Sequence, residues 1–423
     1  MLFVYNFLLY LITPFLAASL LLRSIRAPEY RKRIKERFGL LPEGLHKDYI
    51  WLHSVSVGET VAAEPLVKAL LRDYPQRRLL VTTMTPTGSE QVFRSFGDKV
   101  DHVYAPYDLP GSVRRFLNNT APCMAVIMET ELWPNVLRQC SDRKIPTALI
   151  NARLSKSSAA GYARAPSVSS MMMSRLGGVA AQSQADGERF VQLGLPRERL
   201  RITGSIKFDH TISEDVMETT AILRKEWQGA SKRPVWIAAS THSGEDEIIL
   251  QAHRLLLNDD IAALLILVPR HPERFEEVYT LCASERMQIS RRSSKEAVRS
   301  ETQLVLGDTM GELAALYGAC DIAFVGGSLV ARGGHNPIEP AAWGLPVLVG
   351  EHTFNFQEIV ELLLAQGGAH RVYKAEDIAE QVKSILIDSK RHAEAGAANK
   401  AVVEANRGAT QRQLALVREL LPQ

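Results

Sequence analysis

The stretch Ser56–Glu59 (SVGE) places a carboxylate where a helix is predicted to begin, after the apolar run Tyr49–Leu52. The spacing matches a capping box, in which Ser56 accepts a hydrogen bond from a helix N–H group and Glu59 reaches back to the preceding chain. A carboxylate at a helix N-terminus is expected to stay ionised, because the helix dipole favours negative charge. An ionised Glu59 could also accept a proton from an attacking hydroxyl group. The spacing alone leaves both roles open.

Charged side chains also follow two later predicted strands in the first half of the chain. Glu129 and Glu131 come after the apolar run Ala125–Met128, and Lys207 lies in Gly204–Asp209 (GSIKFD). Acidic residues are common in a first helical turn, and a single lysine is usually a solvated surface residue. Ligands of open α/β sheets bind beyond the carboxyl ends of the strands. The two carboxylates can therefore also form part of a site, in which Lys207 neutralises an anion.

The second half of the chain has candidate anion-binding groups in the same positions. Backbone N–H groups in Ala239–Glu247 (ASTHSGEDE), where small hydroxyl residues and a glycine precede a helix, are predicted to form an anion site. Arg270 and His271, in Leu267–Phe275 (LVPRHPERF), follow the next predicted strand. These residues predict a site for a negatively charged ligand in the second half.

Two further motifs combine helix-capping spacing with groups that can bind a nucleotide. Thr309 and Glu312 have the spacing of a capping box. In the glycine-rich segment that follows, Asn336 is predicted as the N-cap of a helix, Pro337 as its first residue and Glu339 as its third. The Glu339 carboxylate could in addition accept hydrogen bonds from both hydroxyls of a ribose.

An alternating α/β framework must position these residues. Short β-rich runs alternate with patterns of helical period, which predicts parallel sheets with helices on both faces. The first series of predicted strands is Tyr49–His53, Leu79–Thr83, His102–Tyr104, Ala125–Met128, Thr147–Asn151, Gly178–Ala181 and Arg201–Thr203. The second series is Arg233–Ser240, Leu264–Val268, Gln303–Leu306, Ile322–Val325 and Pro346–Val349. Two separate series indicate two Rossmann-like lobes facing a cleft, with a boundary in the polar stretch His210–Lys232.

The N-terminus is predicted to anchor the protein in a membrane. Met1–Leu22 has no charged side chain and is long enough to cross a hydrocarbon core of about 30 Å. Seven basic residues follow within Arg23–Arg37, so the positive-inside rule keeps the rest of the chain in the cytoplasm. The alternative is a helix lying on the bilayer surface, which Pro14 leaves open.

These patterns divide the chain into five predicted regions. They are a membrane anchor at 1–22, a basic juxtamembrane segment at 23–48, a first Rossmann-like lobe at 49–212, a second at 213–402 and a C-terminal helix at 403–423.

Composition and missing motifs exclude several other classes. The chain has 423 residues, 46% of them hydrophobic, and a net charge of +3, which does not indicate nucleic acid as the main partner. Its four cysteines are scattered without a C-x-x-C pair, which suits a reducing compartment and predicts neither a disulfide framework nor a zinc knuckle. The sequence lacks a P-loop, an H-E-x-x-H motif and a D-x-D motif. A metal-bound nucleotide diphosphate is therefore not predicted.

Eight motifs taken together resemble the 3-deoxy-D-manno-octulosonic acid (Kdo) transferases of lipopolysaccharide synthesis. The resemblance runs from the N-terminal segment through the second lobe, with motif order and spacing in agreement. The motifs are HSVSVGE (53–59), TMTPTGSE (83–90), METELWP (128–134), NARLS (151–155), GSIKFD (204–209), LVPRHPERF (267–275), GDTMGEL (307–313) and GGHNPIEP (333–340).

The resemblance implies the two-lobed GT-B architecture and a specific reaction. The family moves Kdo from CMP-Kdo to a hydroxyl of the lipid A precursor, with inversion and without a metal ion. It implies Glu59 as proton acceptor, and Glu129 and Lys207 as transition-state stabilisers. The implied CMP contacts are Pro269, Arg270, Met310, Gly311, Glu312, Asn336, Pro337, Ile338 and Glu339. The family usually has NPLEAAAH where this chain has Ile338, Pro340 and Trp343, changes that flank Glu339 without replacing it.

Two other function classes stay open at this point. A nucleotide-sugar epimerase or an N-acetylglucosaminyl transferase could share the glycine-rich loop and the role of Glu339. A membrane-tethered binding scaffold with an inactive site is a third hypothesis, which the presence of Glu59, Glu129 and Lys207 disfavours. Partners expected for the transferase are CMP-Kdo, the lipid A precursor and the cytoplasmic face of the bacterial inner membrane, with no nucleic acid and no cofactor.

Overall fold

The computed structural model describes residues 2–26, 28–209, 212–229 and 232–422. Contacts within the chain divide it into unit 1, Met1–Asp209 with Asn406–Gln423, and unit 2, His210–Ala405. The first division falls after Asp209, whereas the sequence analysis placed it after residue 212. Residues 1, 27, 210–211, 230–231 and 423, which the predicted regions include, lie outside the described residues.

The described residues of unit 1 include seven short strands that form one parallel sheet. They are β1 Ile50–His53, β2 Leu79–Thr83, β3 Asp101–Tyr104, β4 Met124–Met128, β5 Thr147–Ala152, β6 Gly178–Ala181 and β7 Leu200–Ile202. Their order across the sheet is β3-β2-β1-β4-β5-β6-β7. The direction of winding reverses between β1 and β4, so the switch point of this doubly wound sheet lies between these two strands.

Helices cover both faces of the unit 1 sheet. They are α2 Val57–Asp73, α3 Pro86–Phe96, α4 Pro110–Thr120, α5 Pro134–Asp142, α6 Lys156–Ala163, α7 Pro166–Met173 and α8 Gln184–Gln192, and the N-terminal helix α1, Leu2–Arg26, precedes them. Ile50 packs with Leu66 of α2 in one core cluster, whereas its neighbour Trp51 packs with Phe116 of α4 in another. Side chains that alternate between two buried faces explain why β1 is a continuous apolar run.

Unit 2 repeats this plan with a second seven-stranded parallel sheet. Its strands are β8 Val235–Thr241, β9 Leu264–Pro269, β10 Ile289–Arg291, β11 Leu304–Leu306, β12 Ile322–Val325, β13 Val347–Val349 and β14 Ala369–Arg371. Their order is β10-β11-β9-β8-β12-β13-β14, so the switch point lies between β8 and β12. The sequence analysis missed β10 and β14, because three-residue edge strands with polar side chains (ISR and AHR) give no apolar run.

The remaining helices cover the second sheet and then return to the first unit. They are α9 Glu214–Gln228, α10 Asp246–Asn258, α11 Phe275–Ser284, α12 Leu313–Gly318, α13 Ile338–Trp343, α14 Gln357–Ala365, α15 Ala375–Ile387, α16 Ser389–Asn406 and α17 Ala409–Leu420. The helix predicted at 403–423 is interrupted, because Gly408 with a φ of 84° separates α16 from α17. Leu414 and Val417 of α17 are buried in the core of unit 1.

Helix α1 is long and apolar enough to cross a membrane, judged by length and composition. Most of its large apolar side chains are exposed, and Pro14 lies within it. Near its start, the Tyr5 hydroxyl donates to Asp108 Oδ2 (2.8 Å), and the Asn135 side-chain amide donates to Asn6 Oδ1 (2.7 Å). The first turns of α1 therefore lie against the loop before α4 and the start of α5.

Candidate active site

Two loops of unit 1 leave the strands on either side of its switch point, which is where ligands of open α/β sheets bind. The loop after β1 leads into α2 and Glu59, and the loop after β4 begins with Glu129. Lys207 lies in a 3₁₀ turn, Ile206–Asp209, after the edge strand β7. All three predicted catalytic residues therefore follow the carboxyl ends of strands in one sheet.

Glu59 forms the capping interactions that its spacing predicts. Ser56 Oγ accepts from the Glu59 N–H group (3.3 Å), and the Ser56 hydroxyl donates to Glu59 Oε1 (3.1 Å). Glu59 Oε2 accepts from the backbone N–H of Val55 (2.9 Å), one residue before the N-cap. The structural role is confirmed, and it holds the carboxylate in one orientation.

Burial raises the pKa of Glu59 to about 7, with further increases from the nearby charges of Glu129 and Glu131. The hydrogen bonds from Val55 and Ser56 act in the opposite direction. The residue is only 8% exposed, so the loss of water outweighs the helix-terminus effect that the sequence analysis relied on. The expectation that Glu59 stays ionised is therefore wrong: near pH 7 the carboxylate titrates, as a general base working at that pH should.

Lys207 and Glu129 form an ion pair, although they lie far apart in the sequence. Lys207 Nζ is 3.7 Å from Glu129 Oε1, with side chains 24% and 28% exposed. Glu129 has a φ of 52°, in the left-handed region that non-glycine residues seldom adopt. Strained backbone of this kind occurs at functional sites, and here it sets the direction of the first residue after β4.

The turn that carries Lys207 depends on Asn151, to which the sequence analysis gave no role of its own. Asn151 is fully buried, has a φ of 49°, and accepts through Oδ1 from the Ile206 N–H group (3.2 Å). The N–H group of Asn151 donates to Gln413 Oε1 of α17 (3.0 Å). At the other end of the turn, the Asp209 carboxylate accepts from backbone N–H groups just before and within α17. An asparagine at a strand end was the available signal, since asparagine tolerates this backbone region.

Glu131 stands beside an aromatic pair at the same edge of the sheet. The indole N–H of Trp133 donates to Glu131 Oε2 (3.1 Å), and the Trp133 ring lies 4.7 Å from that of His53 at the end of β1. Burial raises the pKa of Glu131, which the charge of Glu129 also raises. Burial lowers the pKa of His53 to about 3, so His53 is a neutral packing residue near pH 7.

In unit 2, the loops that leave β8 and β12 bring two histidines together at the switch point. The Nε2 atoms of His242 and His335 are 2.8 Å apart, and the two ring planes are nearly parallel (7°) with centroids 5.1 Å apart. The His271 ring, which follows β9, lies 5.3 Å from that of His242. Arg270 precedes it and is exposed. The sequence analysis singled out Arg270 and His271 but not the histidine pair, whose members are separated by 93 residues.

The backbone N–H groups predicted to bind an external anion are partly occupied by an internal one. The fully buried carboxylate of Glu245 accepts from His242 N–H (2.9 Å) and from the N–H groups of Gly327, Ser328 and Leu329 (2.7, 3.0 and 2.9 Å). Within the predicted anion site at 239–247, this carboxylate takes up the N–H group of His242, and binding of an external anion by the other N–H groups stays a prediction. Glu245 also fastens the glycine-rich loop to the loop after β8.

The loop after β11 holds three of the residues implied as CMP contacts. Glu312 accepts from Arg292 (3.0 Å) and from the hydroxyl of Thr309 (2.5 Å). These hydrogen bonds lower the pKa of Glu312, against the effect of its partial burial. Met310 is largely exposed and Gly311 has a φ of 86°. Together with Arg292, Met310 and Glu312 line a cavity of about 590 Å³.

The motif Asn336–Glu339 starts a helix one residue later than predicted. Helix α13 begins at Ile338, whose N–H donates to Asn336 Oδ1 (3.1 Å), and the Asn336 amide donates to Glu339 Oε1 (3.0 Å). Asn336 is still the side chain that caps the helix, with Pro337 at the cap position. Ile338 is 1% exposed, so its side chain is a packing residue and the implied contact of Ile338 with CMP stays a prediction.

Among the described residues, no group of three or more His, Cys, Asp or Glu side chains is arranged to hold a metal ion.

Comparison with protein families gives two matches that follow the division into units. Residues 32–210 match the family described as 3-deoxy-D-manno-octulosonic-acid transferase (kdotransferase). Residues 232–402 match glycosyl transferases group 1.

Similar proteins extend these matches to the full length. The chain is 46% identical over 427 aligned residues to a protein of Haemophilus influenzae named 3-deoxy-D-manno-octulosonic acid transferase, covering 99% of this chain and 98% of that protein. It is 37% identical to the Bordetella pertussis protein of the same name, covering 86% of each. A solved UDP-GlcNAc 2-epimerase of Neisseria meningitidis is 14% identical, with a TM-score of 0.59, 88% of this chain and 100% of that chain covered. That likeness shows a shared fold.

Proposed function

The chain belongs to the Kdo transferase family, and from this premise we propose that it transfers Kdo from CMP-Kdo to a hydroxyl of the lipid A precursor lipid IVA. In this proposal the reaction inverts the anomeric centre and uses no metal ion. The observation that carries it is the Glu59 carboxylate: buried, fixed by two hydrogen bonds, and with a pKa of about 7. A group with these properties is suited to remove a proton from an acceptor hydroxyl.

Proton removal by Glu59 accounts for a single displacement. The acceptor oxygen forms a bond to the anomeric carbon as its proton passes to Glu59. At the same time the bond from that carbon to the phosphate oxygen breaks, and its electron pair leaves with CMP. One displacement inverts the centre and requires one base and no covalent intermediate.

The Glu129–Lys207 ion pair supports charge changes at the reacting sugar. The anomeric carbon gains positive character as CMP departs, and a carboxylate beside it stabilises that charge. Kdo carries its own carboxylate, which a lysine ammonium can neutralise. Lys207 Nζ and Glu129 Oε1 are 3.7 Å apart, so both charges lie together beyond the carboxyl ends of the strands. We therefore assign both residues to transition-state stabilisation.

We assign the CMP part of the donor to unit 2. Arg270 contributes a cation after β9, Glu312 and its neighbours line the cavity after β11, and Glu339 offers a carboxylate for the ribose hydroxyls. Cations and backbone N–H groups can stabilise a leaving phosphate without a metal ion.

We further propose that α1 holds the enzyme on the cytoplasmic face of the bacterial inner membrane, where a lipid acceptor resides. The exposed apolar side chains of α1 and the basic residues that follow it support this location. The hydrogen bonds from Tyr5 to Asp108 and from Asn135 to Asn6 favour a helix lying in the membrane surface. A helix spanning the bilayer would have to break both of them.

A transfer assay with purified protein, CMP-Kdo and lipid IVA tests the proposal. We expect lipid IVA to gain Kdo by mass spectrometry, CMP to be released, and the rate to be unchanged by EDTA. Loss of activity in EDTA, restored by a divalent ion, would contradict the metal-independent mechanism alone. Absence of any Kdo-bearing lipid product, with protein that is folded and purified, would contradict the assignment of CMP-Kdo as donor and lipid IVA as acceptor.

The fold is shared with a UDP-GlcNAc 2-epimerase, so comparing the binding of CMP and UDP is the sharpest test between a CMP-sugar enzyme and a UDP-sugar enzyme. We expect CMP to raise the unfolding temperature and UDP to leave it unchanged. Protection by UDP and not CMP would favour a UDP-sugar enzyme, and binding of CMP without any turnover of CMP-Kdo would favour a scaffold with an inactive site.

A further inference from the structure

His242 and His335 occupy the switch point of unit 2, where ligands of open α/β sheets bind. His242 follows β8 directly, and His335 closes the glycine-rich loop that leaves β12. Their Nε2 atoms are 2.8 Å apart, which is a hydrogen-bond distance. Two imidazole nitrogens at this distance need a proton between them, so at least one of the pair holds an N–H at this position.

Arg270 and Arg332 place positive charge near this pair, whereas Arg274 is already paired with Asp246 (2.6 Å) and Glu277 (3.2 Å). The charges of His271, Arg332, Arg274 and Arg270 all act to lower the pKa of His242, after the larger effect of burial. The acidic groups nearby are already engaged: Glu245 accepts four backbone N–H groups, and Asp246 accepts from Arg274 (2.6 Å) and Thr241 (2.6 Å). Glu273, 3.9 Å from His271, is exposed to solvent. This balance favours an anion next to the pair.

The protein holds the pair in position before any ligand arrives. Gly327 has a φ of 67°, and a Cβ atom there would come within 3.0 Å of His335 Cδ2. Glycine therefore lets the imidazole ring lie directly against the loop. The His335 N–H group donates to the Gly326 carbonyl (3.1 Å), and Glu245 fastens the loop from the other side.

Both histidines are neutral near pH 7 in the free protein. Burial and the neighbouring cations lower the pKa of His335 to about 4 and lower that of His242. A phosphate placed beside them would raise both pKa values, because an opposite charge favours the protonated ring. The pair should then take up a proton when a phosphate binds and not when an uncharged nucleoside binds.

We propose that the His242–His335 pair binds the phosphate of the cytidine nucleotide and protonates the phosphate oxygen that leaves the sugar. This inference rests on the proposed function. As the bond between the anomeric carbon and the phosphate oxygen breaks, its electron pair goes to that oxygen and the imidazolium proton follows. The acceptor's proton goes to Glu59. After product release Glu59 loses its proton to water, and the pair regains one from water when the next donor binds.

The same geometry disfavours a metal between the two rings. Two imidazole nitrogens bound to one zinc, each at about 2.0–2.1 Å in a tetrahedral site, lie roughly 3.3 Å apart. The observed 2.8 Å suits a shared proton better than a shared metal.

Isothermal titration calorimetry of the full-length protein with CMP and cytidine, at pH 7 in two buffers of different ionisation enthalpy, tests the proposal. We expect the wild type to take up a fraction of a proton with CMP and none with cytidine. His335→Gln and His242→Gln should take up no proton when CMP binds, and their affinity for CMP should fall at least tenfold. Their affinity for cytidine should stay within twofold of wild type. His392→Gln is the matched control, because His392 bonds the Asp321 carbonyl at the amino end of β12, away from the carboxyl ends of the strands that carry the pair.

The outcomes separate this inference from the function on which it rests. If CMP binds without proton uptake in the wild type, the inference fails whatever the variants do, and the proposed function stands. If both glutamine variants keep wild-type CMP affinity and uptake, the inference also fails. If the wild type does not bind CMP at all, the proposed function itself fails.

Discussion

At the scale of single residues, Glu59 combines two roles that usually compete. Its carboxylate caps the start of α2 through Val55 and Ser56, and burial places its pKa near neutrality. Capping orients the group, and burial makes it a stronger base than an exposed carboxylate. Removing the ionisable carboxylate of Glu59 should therefore lower the activity of the protein and raise its stability at alkaline pH.

Replacing Glu59 by glutamine should slow transfer strongly while leaving nucleotide binding intact. The amide keeps the size and a hydrogen-bond acceptor but cannot take a proton, so we expect a loss of about 10²–10⁴-fold in kcat. In the wild type, kcat/KM should fall as the pH drops below about 7, because protonated Glu59 is inactive. Steady-state kinetics with CMP-Kdo and lipid IVA checks both. Glu64→Gln on the same helix is the control, and transfer by Glu59→Gln within tenfold of wild type would rule out the assigned role.

The same substitution should stabilise the fold at alkaline pH. The folded pKa of Glu59 is raised above its ordinary value of 4.5, so the folded state binds the proton more tightly than the unfolded chain. This contribution is fully present below about pH 4.5 and is lost as the pH rises through 7. The unfolding free energy of Glu59→Gln minus that of wild type should therefore increase from pH 5 to pH 8, by at most about 3 kcal/mol. Unfolding temperatures measured across this pH range should show the same trend. A constant difference across this range would contradict the raised pKa.

At the scale of elements, the loop after β12 is shaped by close contacts that only glycine permits. A Cβ on Gly350, just after β13, would overlap the backbone of Ser328. The Gly350 N–H group also donates to the Ser328 hydroxyl (2.8 Å), which in turn donates to the Val325 carbonyl (2.6 Å). The two loops at this edge of the sheet therefore hold each other in place.

Gly350→Ala should destabilise unit 2 by about 1–3 kcal/mol, because backbone must move to admit the methyl group. The displaced loop should also bind CMP more weakly, since it carries His335. Thermal unfolding and CMP titration measure the two effects. Gly161→Ala is the matched control, because a Cβ there meets nothing within 4 Å in α6. Equal effects of the two substitutions would show that the Ser328 contact is unimportant.

At the scale of the whole molecule, the last helix of the chain completes the first unit. Leu414 and Val417 of α17 are buried in the unit 1 core, and Gln413 bonds the Asn151 N–H group beside the Lys207 turn. Gln413 of α17 thus helps to position Lys207, a residue assigned to catalysis that lies 206 positions earlier in the sequence. The two-lobed architecture makes this possible because the chain crosses to unit 2 and returns.

Leu414→Ala should weaken unit 1 and leave unit 2 unaffected. Removing a fully buried leucine side chain costs about 2–5 kcal/mol through lost burial and the cavity left behind. Hydrogen exchange should show faster exchange in β5 and β6, next to α17, with β8, β9 and β12 unchanged. Glu419→Ala, on the exposed side of α17, is the control. Uniform loss of protection in both sheets would contradict the assignment of α17 to unit 1.

The two α/β series, most strands and the strand ends at which charged residues lie could be predicted from the order of the amino acids. Apolar period, capping spacing and turn residues act over a few positions, so they can be recognised without a structure. The same local patterns identified Glu59, Glu129, Lys207 and Arg270 as candidates, and the motif order pointed to the Kdo transferase family.

Which of these groups come into contact, and what charge they carry, depends on how the whole chain folds. The Lys207–Glu129 ion pair, the His242–His335 contact and the return of α17 join segments far apart in the chain. Such contacts depend on the order of strands in a sheet, which no local pattern encodes. The pKa of Glu59 likewise follows from burial by distant residues, which overcame the helix-terminus effect that its sequence position suggested.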